Sequence, residues 1–415
     1  MAYLHKEPNL IGCYMSDPFR RAARIADVEL SEILQISEAA AAMKKAGRDV
    51  ISLGTGEPDF PTPAPVIDAA HRAAQAGETT YTATVGTAAL RQAIAADCER
   101  VNGYRPEVAE IIVCTGAKQV IFNAMFATLE PGDEVIIGAP YWTSYPDIIG
   151  VCGGKPVVIA TTAENGFAIS ADQLRAAISP RTRWLLLNSP GNPSGAVYSA
   201  AQLQALAEVL RDNPHVGIIA DEIYQHICYV PFTSFRVVAP DLTDRTLIVN
   251  GVSKSYAMTG WRIGWGIAPK RLIEAMIAVQ GQITSGASSV SQAAALAALT
   301  GDQQMLAERN DDFRARRDMV QDALNATGLI RCGSADGAFY LFPDCTATFG
   351  KVTPAGVRIE QDADFCRALL ETEGVALVPG RAFGVPGHFR LSYAYSPASL
   401  SEACKRIARF CQSLA

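Results

Sequence analysis

The 415-residue sequence is poor in charge, in lysine and in histidine. Charged residues make up 19%, against roughly 25% in an average globular chain. The formal net charge is −6 and no Lys/Arg-rich run occurs, which argues against a nucleic-acid partner. No run of about 18 uncharged apolar residues is present, so no transmembrane helix is expected. Residues 1–24 mix Glu7, Pro8 and Asp17 with short apolar pieces and lack the apolar core of a secretory signal, so the expected setting is cytoplasmic. The ten cysteines form no C-x-x-C pair and no zinc-type spacing with histidine; they read as buried thiols. The five histidines show no ligand spacing, and no metal site is expected. Walker A, G-x-S-x-G and H-E-x-x-H patterns are absent. Gly54-Thr-Gly56-Glu-Pro-Asp59 begins like a dinucleotide fingerprint, but Asp59 stands where the third glycine belongs and Pro58 where a helix should begin.

What is present is apolar: 49% of the chain, too much for disorder. The length suits two or three domains, or one large α/β domain with a smaller partner. Continuous apolar runs predict strands at 110–114, 134–139, 155–160, 183–187, 216–220, 246–250 and 263–268. Runs of this kind mark strands buried on both faces of a largely parallel sheet. Helical patterns at 31–47 (Ser31 as candidate cap), 117–129 and 200–211 point to an α/β doubly wound architecture. One long helix is expected over 290–326. Beyond it come strand pieces at 338–342, 375–378 and 388–393, with helices at 361–372 and 398–413, as in a small α+β unit.

Of nine lysines, seven sit in polar ends or loops. Lys118 and Lys254 instead follow apolar strands, where α/β sheets place their ligand sites. Lys118 lies in Thr115-Gly116-Ala117-Lys118-Gln119, a small-residue turn that opens a helix and could receive an anion. Lys254 lies in Gly251-Val-Ser253-Lys254-Ser255; desolvated there, it could act as a nucleophile or Schiff-base partner. Neighbouring strands end in Asn188-Ser-Pro-Gly-Asn192-Pro-Ser-Gly195 and in Asp221-Glu-Ile-Tyr224, and Arg262 precedes 263–268. Asn192, Asp221, Tyr224, Lys254 and Arg262 therefore converge on one sheet edge. They describe a pocket for a ligand with an aldehyde, an anion and a basic ring nitrogen.

These residues resemble the class I/II aminotransferases of fold type I, which depend on pyridoxal 5'-phosphate. The resemblance runs from Ile51-Ser-Leu-Gly-Thr-Gly56-Glu-Pro-Asp-Phe60 to Arg390-Leu-Ser-Tyr393. It includes Pro140-Tyr-Trp142, Asn192-Pro-Ser-Gly195, Asp221-Glu-Ile-Tyr224 and Ser253-Lys254-Ser-Tyr-Ala-Met-Thr-Gly-Trp-Arg262-Ile-Gly-Trp. The chain looks most like bacterial aspartate aminotransferases of the rhizobial B type. The resemblance implies a mainly parallel seven-stranded sheet in a large domain over 61–304. It also implies a small domain from 31–60 and 305–415, and an N-terminal arm over 1–30.

By the same resemblance, Lys254 holds the cofactor covalently and shuttles a proton, and Asp221 keeps the pyridine nitrogen protonated. Tyr224 and Asn192 bond the 3′ oxygen. Gly116, Ala117, Lys118, Ser253 and Arg262 receive the phosphate, Trp142 stacks on the ring, and Tyr81 reaches the phosphate of a neighbouring subunit in a homodimer with shared active sites. Arg390, Gly56, Trp142 and Asn192 meet the substrate, with Arg390 and Gly56 on its α-carboxylate. Lys118 matches a lysine that attracts an acidic side chain, which favours aspartate as donor and 2-oxoglutarate as acceptor. Ile33 stands where related thermophilic enzymes carry threonine, which leaves aromatic or neutral donors open. A pyridoxal-phosphate carbon–sulfur lyase on the same fold would keep the same cofactor residues.

Overall fold

In chain order the strands are β1 (Ile51–Ser52), β2 (Ile111–Cys114), β3 (Glu134–Ala139), β4 (Lys155–Ala160), β5 (Thr182–Asn188) and β6 (Gly217–Asp221). They continue with β7 (Thr246–Gly251), β8 (Gly264–Ile267), β9 (Tyr340–Leu341), β10 (Val375–Ala376), β11 (Val378–Pro379) and β12 (Phe389–Ser392). The computed structural model describes residues 19, 21–26, 28 and 32–415. The arm expected over 1–30 therefore falls largely outside the described residues, apart from a short turn at Ala23–Ile25, and so does Ser31.

The seven apolar runs form one sheet in the order β2-β8-β7-β6-β5-β3-β4. β4, β3, β5, β6 and β7 pair in parallel. β8 is antiparallel to both of its neighbours, β2 and β7, so it alone runs against the other six. Alternate residues feed two cores. Ile111, Val113, Ile136, Leu185, Leu187, Ile218 and Ile248 pack on one face. Ile112, Cys114, Val135, Ile137, Leu186, Ile219, Leu247 and Val249 pack on the other. Each such side chain contributes roughly 1.5–3 kcal/mol on burial, which is why the strands read as unbroken apolar runs. β4 is the exception. As an edge strand it leaves Lys155, Val158 and Ala160 exposed.

Helices Glu32–Lys45, Ala117–Thr128 and Ala200–Arg211 lie where the periodicity places them. The single long helix expected over 290–326 is two helices, Ser289–Thr300 and Gln304–Asn325. Gly301 ends the first in an extended conformation (φ −80°, ψ −169°), and the Asp302 carboxylate accepts the N–H of Gln304 at 2.9 Å to start the second. The strand expected at 375–378 is likewise two pieces in different sheets. β10 pairs in parallel with β1, and after Leu377 β11 joins an antiparallel sheet of order β11-β12-β9. A third core, including Leu53, Phe313, Phe339, Phe365, Leu391 and Phe410, gathers around these short strands. No described helix is long and apolar enough to cross a membrane. Nine cysteines are described, all free and eight of them buried; Cys13 lies outside the described residues.

Candidate active site

Because six strands point one way, the carboxyl ends of β2, β3, β5, β6 and β7 share an edge with the beginning of β8. A cavity of about 520 Å³ opens there, a size that holds a cofactor or substrate. Eleven of the thirteen site residues expected from the sequence line it: Gly56, Ala117, Lys118, Trp142, Asn192, Asp221, Tyr224, Ser253, Lys254, Arg262 and Arg390. Gly116 lies just behind, against the Arg262 guanidinium. Tyr81 is not brought to this cavity; its side chain is 94% exposed. Ile33 does line the cavity, as its alignment implied.

Lys254 donates from Nζ to the Gly56 carbonyl at 2.7 Å. Removal from water pulls its ammonium down to about 8; Glu57 and Asp221 oppose the shift, and Arg390 and Arg262 add to it. Asp221 is buried at the end of β6 and is pushed up to about 6 by desolvation. The Tyr145 hydroxyl holds that shift back by donating to Oδ2 at 2.6 Å, as does the Ile223 N–H on Oδ1 at 3.3 Å. Burial and the nearby Tyr340 hydroxyl keep the Tyr224 phenol well above its ordinary range, so it is a proton donor. The site thus holds an amine that is partly free base near neutrality beside a carboxylate that is largely ionised there.

A second corner is built for an anion. Gly116 precedes helix Ala117–Thr128 with φ +88°, and no side chain caps that helix, so its first N–H groups remain available to a ligand. A Cβ at Gly116 would collide with the Arg262 guanidinium, and one at Gly264 with the Ala117 backbone nitrogen. Glycine at both positions lets helix, arginine and β8 meet this closely. Arg262 itself adopts φ +58° and donates to the Thr259 carbonyl at 2.9 Å. Lys118 donates to Ser144 at 3.0 Å and lies 4.7 Å from the centre of the Trp142 ring. Desolvation and the Arg262 charge lower its ammonium, with Asp147 opposing.

The third corner is Arg390 on β12, 2% exposed. Nη1 donates to Asn192 Oδ1 at 3.0 Å and Nη2 donates to the Gly54 carbonyl. Tyr340 and Phe383 present their rings to the guanidinium at 4.7 and 5.0 Å. Nε has no partner among the described residues. A buried guanidinium with an unsatisfied N–H and no carboxylate beside it calls for an anionic ligand. Asn192 is itself oriented, its N–H taken by Asn188 Oδ1 at 2.8 Å.

These residues fit pyridoxal 5'-phosphate, the cofactor the resemblance implies. The Gly116–Arg262 cradle admits no Cβ and suits a phosphate, Lys254 suits an aldehyde, and the buried Asp221 carboxylate suits a protonated ring nitrogen. Eight lining residues carry no role in the sequence, among them the polar Glu57, Tyr145, Asn188, Thr259 and Tyr340. Tyr145 and Tyr340 lie in apolar segments, where an aromatic residue reads as core. Only their tertiary partners distinguish them.

The model of the family described as aminotransferase class I and II matches residues 48–407. The chain is 55% identical to the aspartate aminotransferase of Rhizobium meliloti over 398 residues, covering 95% of this chain and 97% of that one. It is 48% identical to the aspartate/prephenate aminotransferase of Cereibacter sphaeroides, covering 94% and 98%. A crystal structure of the Rhizobium meliloti aspartate aminotransferase matches with a TM-score of 0.93 at 54% identity, covering 96% of this chain and all of that one. The Thermus thermophilus aspartate aminotransferase, solved with maleate, matches at 0.88 and 38% identity, covering 94% and 99%.

Proposed function

This chain belongs to the class I and II aminotransferases, and from that premise we propose that it moves the amino group of L-aspartate to 2-oxoglutarate by a ping-pong exchange at one site. The observation that carries the reading is the meeting of Lys254, Asp221 and Arg390 in one cavity, with Lys118 and Arg262 on its wall. With Arg262 given to the cofactor phosphate, Arg390 and Lys118 remain as two separate cations for a substrate with two carboxylates. The names of the relatives, and the dicarboxylate maleate in the Thermus structure, agree with that.

Arg390 takes the α-carboxylate with a guanidinium already held by Asn192 and Gly54. Gly56 allows the backbone close to the same group. Lys254 Nζ, partly free base at neutral pH, takes the proton from the substrate Cα and returns one in the reverse half-reaction. Asp221 holds a proton at the ring nitrogen while Tyr145 keeps its carboxylate ionised. Pyridoxal 5'-phosphate, when bound, supplies the aldehyde and the electron-withdrawing ring that make the Cα proton removable. Tyr224 and Asn192 donate to the 3′ oxygen, and Trp142 covers the ring. Ser253, Arg262 and the start of helix Ala117–Thr128 hold the phosphate.

The test is a panel of aspartate, phenylalanine and alanine with 2-oxoglutarate, run on the parent enzyme and on Lys118→Ala. Aspartate is expected to be the best donor. Loss of Lys118 should raise its KM roughly 10–100-fold, the worth of one charge-assisted contact, with little change for alanine. Equal effects on both donors would confine Lys118 to the phosphate, and pyruvate and ammonia released from cystathionine would indicate a lyase. Prephenate belongs in the panel as an acceptor, because the Cereibacter relative is named for it.

We also read the enzyme as a cytoplasmic homodimer, with a large domain over 61–304 and a small one from 31–60 and 305–415. The nine described cysteines, all free, suit a reducing compartment. The exposure of Tyr81, away from its own cavity, supports the reading that it serves the partner's phosphate. Sedimentation of the cofactor-loaded enzyme should give a dimer at assay concentrations; an active monomer would refute the shared site.

A further inference from the structure

Tyr340 lines the cavity and has no role in the scheme above. Resting on the reading of this site as an aminotransferase centre, we propose that Tyr340 is a positioning residue with two partners: its hydroxyl aims the Tyr224 proton into the cavity, and its ring face holds the Arg390 guanidinium in place.

The hydroxyl argument is one of counting protons. The Tyr340 and Tyr224 hydroxyls lie 3.0 Å apart, and Tyr340 is 1% exposed. Among the described residues the Tyr340 hydroxyl has no other hydrogen-bond partner. It lies against Gly56, where a Cβ would sit 2.5 Å from it. Each phenol carries one proton. With the cavity empty either hydroxyl can be the donor. Where the Tyr224 proton goes to the 3′ oxygen, as the reading above has it, only Tyr340 can donate between the two phenols, and both protons then have acceptors.

The ring argument rests on strand register. Tyr340 on β9 stands opposite Ser392 on β12, which puts Arg390, two residues earlier, at the diagonal position on the same face. The guanidinium lies 4.7 Å from the Tyr340 ring centre, with Phe383 at 5.0 Å. Asn192 and Gly54 fix two of its nitrogens, and the rings limit its tilt. One rigid side chain therefore touches both the carboxylate-binding arginine and the tyrosine that meets the 3′ oxygen.

The experiment compares parent, Tyr340→Phe and Tyr340→Leu holoenzymes by two readouts that are not turnover. One is the pH midpoint of the lysine-bound cofactor absorbance without substrate. The other is the Kd of maleate, a dicarboxylate with no amino group to transfer. With its aim loosened, Tyr224 stabilises a deprotonated 3′ oxygen less, so proton affinity rises. Tyr340→Phe should raise the midpoint by about half a unit, a threefold change, and leave the maleate Kd within about twofold. Tyr340→Leu should show the same shift and bind maleate about tenfold more weakly. A Phe variant that titrates like the parent overturns the hydroxyl role, and a Leu variant that binds maleate like the parent overturns the ring role. If the Leu variant does not fold, Tyr340→Met refills the volume without a π face. A parent that neither forms the coloured adduct nor binds maleate would instead remove the reading of the site itself.

Discussion

Lys254→Ala is expected to be inactive with aspartate and 2-oxoglutarate and colourless when purified. Loss of the positioned base alone lowers turnover by about 10²–10⁴-fold, and loss of the covalent hold adds to that. A coupled assay and an absorbance spectrum check it; a coloured, active variant would mean that another amine does the work. The same residue leaves a thermodynamic trace in the cofactor-free protein. Its ammonium titrates near 8 in the fold and near 10.5 when free. The unfolded chain then binds more protons between those values, so the burden of Lys254 is fully present below pH 8 and vanishes above about 10.5. Cofactor-free Lys254→Met should therefore be more stable than the parent near pH 7, by up to about 3 kcal/mol, and equal to it above pH 10.5. Urea unfolding at the two pH values measures the difference.

The second large effect is expected at Asp221. Asparagine keeps the shape and removes the charge that faces the ring nitrogen. Breaking a buried ionic contact costs about 3–5 kcal/mol, so kcat for Asp221→Asn should fall roughly 10²–10³-fold or more. Cofactor binding supplies a second signature. In the cofactor-free protein desolvation raises Asp221 to about 6, so the parent's affinity for pyridoxal 5'-phosphate should fall as the pH drops through that value. The asparagine variant has no such group, and its affinity should lack that acid limb. A variant with parental kcat, or with an unchanged limb near pH 6, would remove Asp221 from the ring nitrogen.

The large sheet was legible in the sequence because its inner strands are buried on both faces and each becomes an unbroken apolar run. The cofactor corner was legible for a related reason. Parallel strands end together, so the order of strand ends in the sequence already brings Lys254, Asp221 and Asn192 to one edge. The break between Thr300 and Gln304 was hidden by the alanine-rich run ahead of it, whose helix propensity outweighs one glycine. The strands β9 to β11 are two residues each and owe their existence to partners far along the chain. Arg390 and Asn192 are 198 residues apart, and their hydrogen bond belongs to packing alone. Tyr145 and Tyr340 were missed for the same reason: an aromatic side chain in an apolar segment says nothing of what its hydroxyl meets.

The reversed direction of β8 has a mechanical consequence. Since β7 leaves the sheet at the edge where β8 enters it, Lys254 and Arg262 sit on a single loop between Gly251 and Gly264. The distance from Lys254 to Arg262 is thus set by a dozen residues pinned at both ends to adjacent strands. The distance from Lys254 to Arg390 is set by how two separate sheets pack. Cofactor geometry is a local property of this chain, whereas substrate geometry belongs to its whole tertiary structure.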